Sequence, residues 1–441
     1  MNQIQTYLKQ AVMLLRQHRL FTTIYVAGTG LSIALVMTLF LVFYVKFAPV
    51  YPEYNRNRTL VVGAMRTIMK DSTNTNYWCG MASYQLVPHF RQMPHAEAVT
   101  GTTLGYEPRF ISLPNSAQQL PVLCRYADAD FWQVFTFRFV QGKPFTNADV
   151  SSSRKEVVIP QRLARRLYST SDEAVGQPLV LDGLTYRVCG VVDDVSAATP
   201  ASNGNVWLPL SLSPNGAMQD ASTFEAPGDL FVGSVDIYLT ARSSGDKEAL
   251  KEEVCEWMRK SNAANPTFVN QLMGQPDDYW KSTFRMNMCS APDMTETLSS
   301  FALILLALLV IPAMNLCGMV SSRMDERLSE MGIRKSYGAS GSTLVRQALW
   351  ENLLLTCLGG LVGLLLSYLI VWTANEWILT LFDDFVMPGS NAPRFTFEML
   401  FSGWVFLATL GVCVLLNLLS TLIPTVWALR KPIIQSINMK D

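Results

Sequence analysis

Histidine is scarce in this chain, three in 441 residues, and charged residues make up only 16%. A soluble domain usually carries about 25% charge, so part of the chain is built for a nonaqueous surrounding. The signatures of hydrolytic and metal chemistry are missing: there is no H-E-x-x-H, no G-x-S-x-G, no Cys/His zinc spacing and no C-x-x-C. No G-x-x-x-x-G-K-[S/T] occurs, so these residues lack the loop whose backbone amides cradle nucleotide phosphates. Lys plus Arg equals Asp plus Glu at 35 each, a balance that says nothing about partners; the lack of a basic surface interleaved with aromatics argues against nucleic-acid binding. The adjacent carboxylates Asp193-Asp194 and Asp277-Asp278 read as solvated loop charges, because neighbours on a strand or turn point apart. No catalytic residue, metal site or cofactor is expected.

What is present is apolar: 49% of the residues are hydrophobic, and they concentrate in four runs. These are roughly 21–47, 298–320, 353–372 and 401–422, each about the 20 residues that cross ~30 Å of hydrocarbon as a helix. The first run is longer than a signal-peptide core of about 7–15 residues, and no small-x-small cleavage site follows it, so it reads as a retained anchor. Orientation follows from Lys and Arg. Lys9, Arg16 and Arg19 precede the first run; Arg323, Arg327, Arg334, Lys335 and Arg346 follow the second; Arg430, Lys431 and Lys440 follow the fourth. The loop between the third and fourth runs holds Arg394 alone against Glu376, Asp383, Asp384 and Glu398. Both termini and the 321–346 loop are therefore expected in the cytoplasm, and the large polar segment outside.

The boundaries expected from this pattern begin with a cytoplasmic amphipathic helix over 1–20, with Ile4, Leu8, Val12 and Leu15 on one face, lying against membrane lipid, and a first transmembrane helix over 21–47. An extracytoplasmic domain of two lobes occupies 48–296. A second transmembrane helix over 297–320, a cytoplasmic loop over 321–346 and a third helix over 347–373 follow. A short outer loop over 374–399, a fourth helix over 400–427 and a tail over 428–441 complete the chain. The fold class is thus a four-helix membrane protein with a large α+β domain inserted between helices 1 and 2. Within that domain β-rich runs begin at Thr59, Glu156, Leu179, Tyr186 and Phe231, while 161–167 and 247–260 are helical. The Ala-, Ser-, Asn- and Gly-rich stretch 196–228 reads as a boundary or long loop between lobes. Five cysteines, Cys79, Cys124, Cys189, Cys255 and Cys289, fall outside; an odd count cannot pair completely, and a disulfide and buried free thiols both stay open.

Two features suit mechanical work. Small residues recur four apart as Gly28/Ser32 and Gly30/Ala34 in the first run and Gly359/Gly363 in the third, a spacing that lets helix backbones approach closely. They serve a dimer face or packing inside one bundle equally well. Between the second and third runs, Leu328, Glu330, Met331, Gly332, Ile333, Arg334, Lys335, Tyr337 and Gly338 combine an apolar ridge with a basic rim, followed by a glycine turn. Such a helix fits a groove on another protein, or serves as a lipid-binding basic segment.

The stretch Arg327-Leu-Ser-Glu-Met-Gly-Ile-Arg-Lys-Ser-Tyr-Gly-Ala-Ser340, with the glycine-rich run from Gly359, resembles the loop and third span of MacB/FtsX/LolC-type (type VII) ABC permeases. Asp130-Phe-Trp-Gln-Val-Phe, Phe139-Val-Gln-Gly-Lys-Pro-Phe145, Glu156-Val-Val-Ile, Val175-Gly-Gln-Pro-Leu and Val188-Cys-Gly-Val-Val-Asp-Asp resemble the MacB-like periplasmic core domain. Tyr337 stands where that family often has Leu. The resemblance implies a non-catalytic permease subunit of the bacterial inner membrane, working as a homodimer or heterodimer with a cytoplasmic ABC ATPase. It implies mechanotransmission: ATP-driven closure inside moves the outer lobes, for efflux of a peptide, antibiotic or lipid-like substrate, with a periplasmic adaptor and outer-membrane channel as further partners. The alternative is an FtsX-like signalling permease that activates a cell-wall hydrolase.

Overall fold

A computed structural model describes residues 19–70, 77–104, 108–114, 116–168, 174–218, 231–285, 290–326, 333, 336–338, 340–374, 377–378 and 403–430. The chain divides into a helical unit, residues 1–44, 298–375 and 400–441, and an outer unit, residues 45–297 with 376–399. The expected amphipathic helix over 1–20 falls almost wholly outside the described residues.

In chain order, α1 (Arg19–Phe47) precedes β1 (Thr59–Val62), β2 (Met65–Met69), β3 (Tyr77–Ala82), α2 (Leu86–Phe90), β4 (Ala96–Leu104), β5 (Arg109–Ser112), β6 (Leu120–Val122) and β7 (Cys124–Ala127). Then come α3 (Phe131–Val134), β8 (Phe139–Gly142), α4 (Asn147–Ser151), β9 (Glu156–Pro160), α5 (Gln161–Tyr168), β10 (Pro178–Leu181), β11 (Leu184–Val192) and β12 (Val206–Pro209). β13 (Val232–Gly233), β14 (Asp236–Ala241), α6 (Lys247–Ala264), β15 (Phe268–Gln271), β16 (Asp277–Asp278) and α7 (Tyr279–Ser282) close the outer unit. The long helices α8 (Met294–Glu326), α9 (Gly341–Thr373) and α10 (Gly403–Arg430) follow.

Among the described residues, two segments are long and apolar enough to cross a membrane: Thr22–Phe47, of 26 residues, and Gly341–Thr373, of 33. The helices α8 and α10 contribute shorter described apolar segments, Met294–Ala307 and Gly403–Val412. Ser340 starts α9 by accepting the Thr343 amide at 3.3 Å, which satisfies one of the donors that a helix start leaves open.

The outer unit is built on a 12-stranded sheet, ordered β16-β1-β14-β4-β7-β12-β9-β11-β10-β5-β6, with β8 pairing β11. A second sheet of four strands runs β13-β3-β2-β15. Most pairs are antiparallel; β9 with β11 and β7 with β12 are parallel. The β-branched runs Val157-Val158-Ile159 and Val191-Val192 are fully buried, as central strands require. The helix α6 lays Leu250, Val254 and Met258 into the core at intervals of four, leaving Glu256, Arg259 and Lys260 exposed. The edge-to-face rings of Trp132, Phe137 and Trp207, with Phe131 beside them, fill a second part of the core.

Two expectations shift. The run from Phe231 forms two strands, because β13 joins the small sheet and β14 the large one, and the chain breaks at Gly233-Ser234 to pass between them. The stretch 196–228 is not a plain loop: β12 lies inside it, buried between β7 and β9, and residues 196–203 pack tightly on small side chains.

Candidate functional site

Of the basic segment between α8 and α9, the structure describes Ile333, Ser336, Tyr337, Gly338 and Ser340; Leu328, Glu330, Met331, Gly332, Arg334 and Lys335 lie outside the described residues. Ile333 is 50% exposed and Tyr337 88% exposed. The Tyr337 amide donates to the Ile333 carbonyl at 3.1 Å, a helical turn. Gly338 takes φ +92, a conformation open to glycine, and ends that turn just before α9.

The small residues of α1 and α9 meet within one chain. A Cβ placed on Gly363 would lie 2.8 Å from the Gly30 carbonyl oxygen, one on Gly359 would lie 3.0 Å from Thr29, and one on Gly30 would lie 3.2 Å from the Gly359 oxygen. The two backbones touch through these three glycines, as small-residue spacing allows. Ala34 is buried alongside. Gly28 and Ser32 are on a more open face, where the Ser32 hydroxyl donates back to the Gly28 carbonyl at 2.8 Å.

Sequence reasoning missed a buried polar arrangement that sits where the chain enters and leaves the outer unit. Arg56 is buried, and its Nε donates to Glu53 Oε2 at 2.8 Å. Its Nη1 donates to the carbonyls of Val45, in the last turn of α1, and Ala48, at 2.6 and 2.9 Å, and its Nη2 to the carbonyl of Ala198 at 3.3 Å. Burial opposes the guanidinium charge, but Tyr279 and Glu53 outweigh it and hold Arg56 above its ordinary pKa. Glu53 Oε1 accepts from the Ser202 amide and hydroxyl at 2.9 and 2.7 Å, and its Oε2 from the Tyr279 hydroxyl at 2.5 Å. At the exit, Arg285 Nε donates to Asp277 Oδ2 at 2.8 Å, its Nη1 to the Ser290 carbonyl at 2.7 Å and its Nη2 to the Met273 carbonyl at 3.1 Å.

This corrects the reading of Asp277-Asp278 as solvated charges. Both are buried in β16, which pairs with β1. Successive strand residues point to opposite faces, and each face supplies a partner: Arg285 for Asp277, Lys247 and Lys251 for Asp278 at 2.9 and 3.0 Å. Asp194 has a partner as well, accepting the Arg162 amide at 2.9 Å.

Cys79 is disulfide-bonded, with its partner outside the described side chains, while Cys124, Cys189 and Cys255 are free. Burial pushes the Cys124 and Cys189 thiols up to about 12, which leaves them unreactive. A cavity beneath β6 and α5, lined by Leu120, Val122, Arg162, Leu163 and Arg166, is only about 40 Å³; ligand sites run about 300–1,000 Å³. No group of three or more His, Cys, Asp or Glu suited to a metal occurs among the described residues.

The family model described as the MacB-like periplasmic core domain matches residues 22–256, more than half of the chain. A second, the FtsX-like permease C-terminal domain, matches 301–433. The chain belongs to the MacB/FtsX family of ABC transporter permeases. Relatives include the macrolide export ATP-binding/permease protein MacB 1 of Yersinia pestis, 26% identical over 245 residues, covering 55% of this chain and 34% of that protein. MacB of Burkholderia cenocepacia is 29% identical over 240 residues, covering 54% of this chain and 32% of its own. The chain thus spans about a third of the length of the curated relatives it matches. Against the solved periplasmic region of MacB from Actinobacillus actinomycetemcomitans the TM-score is 0.30, with 14% identity over 47% of this chain and 88% of that one; the family assignment rests on the two family models instead.

Proposed function

We propose that this permease is the membrane subunit of an ABC efflux system that transmits force and moves its substrate without binding nucleotide itself. In this reading α1, α8, α9 and α10 are four spans of the bacterial inner membrane. Both termini and the 321–346 loop lie in the cytoplasm, and the outer unit lies beyond the membrane. A separate ATPase subunit docks on the segment 327–340, and its closure displaces the outer unit of a dimer to extrude a peptide, antibiotic or lipid-like molecule. The observation that carries this reading is the succession of the two family matches, core domain and then permease domain, over residues that contain no phosphate-cradling loop. Exposure of Ile333 and Tyr337 supports docking, since an exposed apolar ridge fits a partner groove. The Cys79 disulfide supports an oxidising compartment for the outer unit.

The test is reconstitution with a candidate ATPase subunit. Gly332→Pro, or Arg334→Glu with Lys335→Glu, should abolish ATPase stimulation by at least about tenfold, a loss of about 1.4 kcal/mol or more of coupling, while membrane insertion is unchanged. Normal stimulation would remove the segment from the mechanism. ATP hydrolysis by the purified 441-residue chain alone would overturn the reading, and capture of a cell-wall hydrolase in place of an adaptor would move it to signalling.

A further inference from the structure

We infer that Arg56 and Arg285 are positioning residues that weld both connections of the outer unit to one sheet edge, so that the two connections move as a single body. Each arginine does the same job at one end of the unit. Arg56 joins four separate stretches of chain: the end of α1 at Val45 and Ala48, the carboxylate of Glu53, the 196–203 segment at Ala198, and Tyr279 of α7, whose ring centroid lies 4.9 Å from the guanidinium carbon. Arg285 joins Asp277 of β16, Met273 and the Ser290 carbonyl, four residues before α8 begins.

The two clusters are physically continuous. β1 starts three residues after Arg56, and it pairs with β16 through Leu60 with Asp278 and Val61 with Asp277. Tyr279, next in the chain, hands its hydroxyl to Glu53. The rings of Phe47 and Phe284 pack 5.5 Å apart between the entering and leaving segments.

Physical chemistry explains why arginine occupies both positions. A planar guanidinium offers five donors in a fixed fork, so it can bond a carboxylate and several backbone carbonyls at once with set directions. An apolar cluster would hold these segments together as firmly, but without fixing their angles, because apolar contact is non-directional. A lysine has three donors on one rotatable atom and cannot span the same acceptors. Fixed angles matter only if displacement of one connection must reach the other without slack. This inference therefore rests on the force-transmitting reading proposed above, and its test separates the two.

The experiment uses the full chain in lipid nanodiscs, with Arg56→Lys and Arg285→Lys, which keep charge and approximate volume. Hydrogen exchange, read without any ATPase subunit, should rise about tenfold or more across 45–56 and 279–290 in either variant, while β4 and β11 stay at wild-type protection. Unchanged exchange at both connections overturns the inference. If Arg56→Lys unfolds the outer unit as a whole, Arg285→Lys decides, because its cluster lies at the other end of the unit's chain.

The second readout is the distance between spin labels at Arg259 and Leu303, carried on unnatural amino acids and measured with and without ATP in the presence of the ATPase subunit. The wild type should shift on adding ATP; both lysine variants should lose more than about half of that shift while ATPase rates stay within about twofold. Variants that shift as fully as the wild type overturn the inference and leave the transmitting function intact. A wild type that does not shift overturns the transmitting function, while exchange at the two connections still reports on the weld.

Discussion

In the outer unit, cohesion comes from large side chains and fully engaged charges. Trp207 is completely buried among Trp132, Phe137 and Ser202, where its indole N–H donates to the Ser202 carbonyl at 3.0 Å, and buried carboxylates such as Glu53 have every oxygen in use. In the helical unit, α1 and α9 meet where side chains are missing, at Gly30, Gly359 and Gly363. The contrast follows from the surrounding solvent. Water rewards burial of apolar surface and penalises a buried polar group only when it lacks a partner. Hydrocarbon gives no such reward, so helices gain by bringing backbones close and increasing van der Waals contact.

Three substitutions would break or sharpen that contrast. The largest effect is expected from Trp207→Ala, which removes a fully buried indole and its hydrogen bond and should cost the outer unit about 3–5 kcal/mol. Chemical denaturation followed by exchange in β7, β9 and β12 would measure it, with protection in α9 unchanged; equal loss in both units would mean that they share one cohesive core. Next, Gly363→Ile should cost the α1–α9 pairing about 1–3 kcal/mol, because its Cβ meets the Gly30 oxygen at 2.8 Å and Ile33 as closely. Crosslinking between introduced cysteines on α1 and α9 would report separation, and undiminished crosslinking would contradict close backbone packing.

The smallest effect concerns Asp236, a half-buried acid at the start of β14 held against Gly63. A Cβ on Gly63 would meet its Oδ1 at 2.7 Å, and burial raises its carboxyl to about 6, with Arg125 only partly opposing. The folded state therefore binds its proton more tightly than the unfolded chain does, and this group lowers stability as pH rises from about 4 through about 6. Asp236→Asn should add about 1–2 kcal/mol at pH 7 and nothing below pH 4. A pH-independent gain in thermal melts would assign the effect to packing, and no gain at pH 7 would show that the charge is solvated.

How much was legible varied with how local the cause was. The β-rich runs at Thr59, Glu156, Leu179 and Tyr186 and the helices α5 and α6 were readable because period and β-branching act over a few neighbours. Gly233 was not read as a crossing point, since β-favouring residues continue on both sides of Gly233-Ser234 and only the pairing with a second sheet reveals the break. Nothing in the local sequence around Arg56 and Glu53 marks them as buried. Their partners at Ala198, Ser202 and Tyr279 lie 142, 149 and 226 positions away, and no local pattern carries pairings of that range.

The amino-acid order alone determined the four apolar runs, their basic flanks and the missing phosphate loop, because hydropathy and charge are properties of single residues summed over a window. It also set glycines four apart, and the tertiary structure adds that α1 and α9 meet at Gly30, Gly359 and Gly363 within one chain. Only the tertiary structure decided that Asp277 and Asp278 are buried rather than solvated, and that two arginines close the ends of the outer unit. Whether a charge faces water or a partner depends on which distant segments fold against it, and chain proximity says nothing about that.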